Sequence, residues 1–178
     1  SFFHQALSLL VALIWGTNFV FIHYGLDELQ PFTFATLRFF LVAVPLIFFL
    51  PRPATSWLHL ISYGFFIGCG QFGLLFWAMQ TNITPGLASL IIQMQVFFTI
   101  LLAVLFFGED IKLNQVVALI VCFSGLALII NYVDAQTTII GVVVTLVAAM
   151  SWACGNLIVK NAGHINILAF LVWSSLFS

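Results

Sequence analysis

PGLASLIIQMQVFFTILLAVLFFGE, residues Pro85 to Glu109, is the stretch whose reading decides the fold. From Gly86 to Phe107 it carries 22 residues without a charge. At about 1.5 Å per residue such a run reaches about 33 Å, enough to cross the hydrocarbon core of a bilayer. The stretch therefore predicts a membrane-spanning helix. Ser89, Gln93, Gln95 and Thr99 fall inside it, where a polar group turned toward acyl chains has no hydrogen-bond partner. These side chains are expected to face protein or water. Gly86, Ser89 and Gln93 share one side at helical spacing, and Gln95 and Thr99 share another. Two roles stay open for them: hydrogen bonds between helices, or the polar lining of a solute path.

Composition places the whole chain in the same setting. Hydrophobic residues make up 63% and charged residues 5%, against about 25% charged in soluble domains, and the mean hydropathy is +1.23. The fold class is an all-α, polytopic bundle in a lipid bilayer. The four lysines and arginines are scattered and the net charge is -1, so no electrostatic footprint for nucleic acid exists. Cys69, Cys122 and Cys154 stand alone in apolar runs and His4, His23, His59 and His164 share no ligand spacing, so neither a disulfide framework nor a metal site is expected. No paired carboxylates or activated nucleophile point to an enzyme, and no cofactor is implied. The first apolar segment is long and lacks a basic leader, which makes it a retained span. The chain starts at Ser1 without a Met and stops at Ser178 within an apolar run, and the expectation is a piece of a longer protein.

Taken in order, spans are expected at Leu7 to Tyr24, Phe32 to Leu50, Leu58 to Met79, Gly86 to Phe107, Asn114 to Tyr132 and Ile139 to Lys160, with another starting near Ile165. Pro51 to Ser56 and Gly108 to Leu113 break the apolar pattern. Trp57 then marks an interface, and Gly64 and Gly68 form a GxxxG pair that permits close backbone approach. With the spans so numbered, Arg52, Lys112 and Lys160 fall on the face of the N-terminus, while Asp27, Glu28 and Asp134 fall on the other. Short-loop cations prefer the cytoplasm, so a cytoplasmic N-terminus is expected.

The first and sixth spans resemble each other. Asn18 to Gly25 aligns with Asn156 to Gly163 at an offset of 138 residues, and Trp15 matches Trp152 after a one-residue slip. A unit with an odd number of spans sets its copy upside down in the bilayer, which is the inverted repeat of many transporters.

WGTNFVFIHYGL, the LRF around Arg38, PGLASLIIQMQVFFTILLAVLFFGE, GLALI at Gly125 to Ile129 and SWACGNLIVK together resemble the EamA domain of the drug/metabolite transporter superfamily. Within it, LASLIIQMQVFFTI and SWACGN are similar to the branch that exports O-acetylserine and cysteine. The resemblance implies ten helices in two inverted five-helix repeats, a bacterial inner-membrane location, and export of small amino-acid-related metabolites by alternating access. Residues 1–132 would then be the first repeat and 139–178 the start of a truncated second one, whose missing C-terminal part is an implied partner. The resemblance leaves the oligomeric state open, a homodimer included.

The substrate-binding candidates are Trp15, Asn18, Arg38, Gln71, Gln93, Gln95, Trp152 and Asn156. Arg38 is the one charge well inside a span. It either snorkels to the interface or meets the carboxylate of a zwitterionic solute. The amides of Asn18, Gln71, Gln93, Gln95 and Asn156 suit a small, neutral, polar metabolite, or else they bond helices together. Trp15 and Trp152 lie deep in their spans, as cavity walls or as packing. Glu109, of the GE motif, and its neighbours read as a solvated turn. No acidic residue lies within a span, so no carboxylate proton relay is visible.

Overall fold

A computed structural model describes residues 2–131 and 137–178. Among them every regular element is helical: α1 (Phe2–Glu28), α2 (Pro31–Ile47), α3 (Trp57–Thr81), α4 (Pro85–Phe107), α5 (Leu113–Asn131), α6 (Ile139–Ala162) and α7 (Ile167–Ser174, with a 3-10 turn over Ser175–Phe177). Of these, α1, α3, α4 and α6 are long and apolar enough to cross a membrane, so the molecule is a polytopic helical bundle. Tyr132, expected at the end of the fifth span, and Asp134, expected on the face opposite the cations, lie outside the described residues.

Local chemistry sets the helix ends. Pro31 and Pro85 open α2 and α4 at positions where a missing N–H costs nothing. Ser56, Thr138 and Asn166 cap α3, α6 and α7, their side chains accepting from the backbone N–H of His59, Gly141 and Ala169. Gly108 ends α4 in the left-handed region at φ 63°, a conformation that favours glycine. Expected and observed boundaries differ most in α1, which continues through His4, Gln5, Asp27 and Glu28 beyond its apolar run.

Two helices change pitch at mid-length. From Phe65 to Gly73, FFIGCGQFG, α3 is a π-helix, and from Ile92 to Met94 α4 tightens to a 3-10 turn. The π-segment is ringed by neighbours that touch it at glycines. A methyl group on Gly70 would sit 2.7 Å from Ser151 Oγ of α6, and one on Gly73 2.6 Å from Phe32 Cε1 of α2. Gly64 and Gly68, the expected GxxxG pair, face the backbone of Ser174 and Ser178 at the end of α7.

The core lies between α1, α3, α4 and α6, with Phe19, Ile22, Phe76, Ile91, Ile92 and Ala148 among its members. Small residues of α6, including Ala148, Ala149 and Ala153, are fully buried and let it pack on α3 and α4. One end of the bundle gathers the cationic links. There Lys160 pairs with Glu109, Asn161 Nδ2 lies 3.2 Å from His59 Nε2, and the Trp173 indole donates to Leu50 O at 3.1 Å. At the opposite end Thr138 N donates to Asn82 O at 2.8 Å. Glu109, read from sequence as part of a solvated turn, is thus tied to the end of α6.

Candidate functional site

Arg38 lies near the middle of α2, more than six residues from either helix end. Its guanidinium stays at that depth, 4.4 Å from the centroid of the Phe72 ring. This cation–π contact offsets part of the cost of a charge held away from water. The ring is held in turn: Phe72 meets Phe39 edge-on at 5.5 Å and Phe76 at 5.6 Å, and Phe76 stacks on Phe34 at 5.2 Å. A wedge of aromatic rings between α2 and α3 therefore fixes the base on which the guanidinium rests.

Arg38 opens onto an inner pocket of about 150 Å³, lined also by Asn18, Gln71, Phe72 and Ile92 and walled by Trp15 and Trp152. Gln71 comes from the π-segment of α3, and Ile92 starts the 3-10 turn of α4. Both helices thus depart from regular pitch where they border this pocket. A π-segment rotates its side chains out of the α-helical register, and such segments are frequent at functional sites. Gln71 is 3% exposed. Its amide makes no hydrogen bond to another described residue, so its polar atoms are available to a solute.

Trp15 and Trp152 stack with centroids 5.3 Å apart and planes 16° from parallel. Beyond them runs a larger groove of about 690 Å³ between α1 and α4, lined by Ser89, Gln93 and Gln95. Ser89 donates its hydroxyl to Gly86 O at 2.7 Å, while the Gln93 side chain is exposed to the groove. Gln95 is spent differently. Its Oε1 accepts from Asn156 Nδ2 at 3.0 Å, and Asn156 Nδ2 also donates to Thr99 Oγ1 at 3.0 Å. That triad bonds α4 to α6, and Asn156 lines neither cavity.

The structure thus brings Trp15, Asn18, Arg38, Gln71 and Trp152 to one pocket, sets Gln93 on the adjoining groove, and joins Gln95 to Asn156 between helices. Sequence reasoning missed Phe72 as the support of Arg38, Phe19 as a wall of both cavities, and Thr99 as a partner of Asn156. Only Thr99 had a local signal, one helical turn after Gln95.

A bundle of apolar helices, four of them long enough to cross a bilayer, around a largely apolar pocket that holds one guanidinium and two amides defines a multi-pass membrane protein. The chain belongs to the EamA-like transporter family, whose model matches residues 4–131. It is 40% identical over 176 residues to a protein named "Probable amino-acid metabolite efflux pump" in Escherichia coli (strain K12), a match covering 96% of this chain and 59% of that protein. A protein of the same name in Salmonella typhimurium is 39% identical over 176 residues with the same coverage. An uncharacterized transporter of Bacillus subtilis (strain 168) is 30% identical over 175 residues, covering 92% of this chain and 59% of its own length. The chain therefore spans about 59% of the length of these relatives. No solved structure matches it.

Proposed function

We propose that the chain forms one side of the substrate path of a secondary exporter for small amino-acid-related metabolites of the O-acetylserine and cysteine type. The observation that carries the reading is Arg38, a mid-span guanidinium facing a pocket with two amide side chains, Asn18 and Gln71. In a site shielded from water a guanidinium holds a carboxylate through paired N–H donors, and the strength of that hold falls where water competes. The amide oxygens of Asn18 and Gln71 are suited to an ammonium group, so the solute stays zwitterionic and brings no net charge into the bilayer. The names of the Escherichia coli and Salmonella typhimurium relatives support an efflux role for amino-acid metabolites.

In this reading residues 1–132 supply a five-helix unit and residues 139–178 open a second, inverted unit. The rest of that unit lies in the length of the relatives that the chain does not span. The Trp15–Trp152 stack brings together α1 and α6, the helices whose sequences resemble each other, as an inverted repeat would. Transport then proceeds by alternating access, with the two units rocking about the pocket in a bacterial inner membrane and the N-terminus in the cytoplasm. The hydrogen bonds of Gln95, Thr99 and Asn156 support a role for those three in holding helices together, with Gln95 also lining the groove.

Proteoliposomes of the full-length protein are expected to exchange labelled cysteine or O-acetylserine. Arg38→Leu is expected to lower that flux by at least about tenfold, given the few kcal/mol carried by a charge-assisted hydrogen bond. Unchanged flux in folded Arg38→Leu protein would remove the guanidinium from the mechanism.

A further inference from the structure

Arg38 is a charge without a counter-charge. No described residue forms an ion pair with its guanidinium or accepts a hydrogen bond from it, and the contact it makes is with the face of Phe72. Of the five Asp and Glu residues, Asp27 and Glu28 close α1, Glu109 and Asp110 follow α4, and Asp134 lies outside the described residues. Asp27 comes nine residues after Asn18 on α1, a distance of about 13 Å along the helix axis. Among the described residues, then, the inner pocket of about 150 Å³ presents one positive charge, two amides and apolar walls. It has room for a whole small amino acid.

We propose that this pocket reads the carboxylate of its solute and is indifferent to the ammonium, so that small monocarboxylates with a hydroxyl or a hydrogen in place of the amine bind it alongside amino acids. The inference rests on the reading of Arg38 as the carboxylate anchor and widens the substrates of that site. A guanidinium and a carboxylate together carry no net charge, so a monoanion neutralises the pocket it enters. A zwitterion leaves one positive charge in the filled pocket, and a charge without a partner is costly at bilayer depth. The groups left to meet the α-substituent are amides. Gln71, 3% exposed and not hydrogen-bonded to another described residue, and Asn18 each offer an oxygen that accepts and an NH2 that donates. An ammonium meets the oxygen, a hydroxyl meets either group, and neither contact sets a charge against a charge. A carboxylate in the same place would only accept, and would favour the ammonium. None of the residues that line the pocket supplies one.

The test is competition against labelled cysteine at neutral pH in proteoliposomes of the full-length protein, using solutes built on one carbon skeleton. Alanine carries both head groups, lactate a carboxylate and a hydroxyl, propionate the carboxylate alone, and alanine amide the ammonium alone. Lactate and propionate are expected to compete within about tenfold of alanine, because the amide contact they change is a single hydrogen bond. Alanine amide is expected to be weaker than alanine by at least about thirtyfold, because it forfeits the paired, charge-assisted bonds to Arg38. If lactate and propionate fail where alanine competes, the ammonium is required and the inference is overturned, while Arg38 as the carboxylate anchor stands. If alanine amide competes as well as alanine does, the anchor falls and the inference with it. Should the protein carry no labelled cysteine, the same solutes are compared by the rise each gives in the Tm of the full-length protein in detergent. The same ranking is expected there, and no rise from any of them overturns both readings.

Discussion

Amides at bilayer depth separate by whether another side chain already satisfies them. Asn156 donates to both Gln95 and Thr99 across the α4–α6 contact, and replacing it leaves the Gln95 carbonyl oxygen without its partner from α6. Asn156→Leu is therefore expected to lower stability by about 0.5–2 kcal/mol, the range for interhelical hydrogen bonds in membranes. Thermal unfolding in detergent measures it. A double-mutant cycle with Gln95→Leu is expected to show coupling of the same sign, while the transport rate per folded molecule stays unchanged. A loss of rate without a loss of stability would move Asn156 from fastening to solute contact. Sequence made Arg38 and the amides legible as residues in need of a partner, because burial of an unpaired polar group is costly wherever it occurs. It left open which partner each finds, since Phe72 under Arg38 and Thr99 beside Asn156 are contacts between different helices.

At the level of the helix, the decisive feature is the pitch of α3. Nine residues from Phe65 to Gly73 run as a π-helix, and glycines sit where α6 and α2 press on it. A methyl on Gly70 meets Ser151 Oγ at 2.7 Å, on a short side chain with little room to retreat. A methyl on Gly155 meets Ile67 Cδ1 at 2.6 Å, the far end of a flexible side chain that rotates away. Gly70→Ala is accordingly expected to cost about 1–3 kcal/mol, as overpacking does, and Gly155→Ala less. Ser151→Gly should restore much of the loss in the Gly70→Ala background and none in the Gly155→Ala background, as thermal unfolding would show. Equal costs for the two substitutions would mean that the α3–α6 contact is looser than its geometry. The helices themselves were legible from apolar length and from Pro and Gly at their ends. The change of pitch was not, because a wide turn in FFIGCGQFG depends on what packs against each glycine.

Across the whole molecule, three links that sequence assigned to one face do converge. Lys160 of α6 pairs with Glu109 in the link that carries Lys112, and Asn161 meets His59, three residues after Ser56 in the segment that carries Arg52. The Asn82–Thr138 bond closes the opposite end. Short-loop cations favour the cytoplasmic side because translocating them is disfavoured, so this face is expected to be cytoplasmic. A cysteine at Lys112, in a variant with Cys69, Cys122 and Cys154 replaced by alanine, is therefore expected to resist a membrane-impermeant maleimide in intact bacterial cells and to react once the membrane is opened. Thr84→Cys, in the short link between α3 and α4 at the other end, is expected to react in intact cells. The two positions carry the argument jointly: reversed labelling would invert the molecule in the membrane and leave its fold standing. Labelling of both from outside would instead contradict the bundle, because one traverse of α4 separates the two links and its 23 residues are long and apolar enough to span the bilayer core.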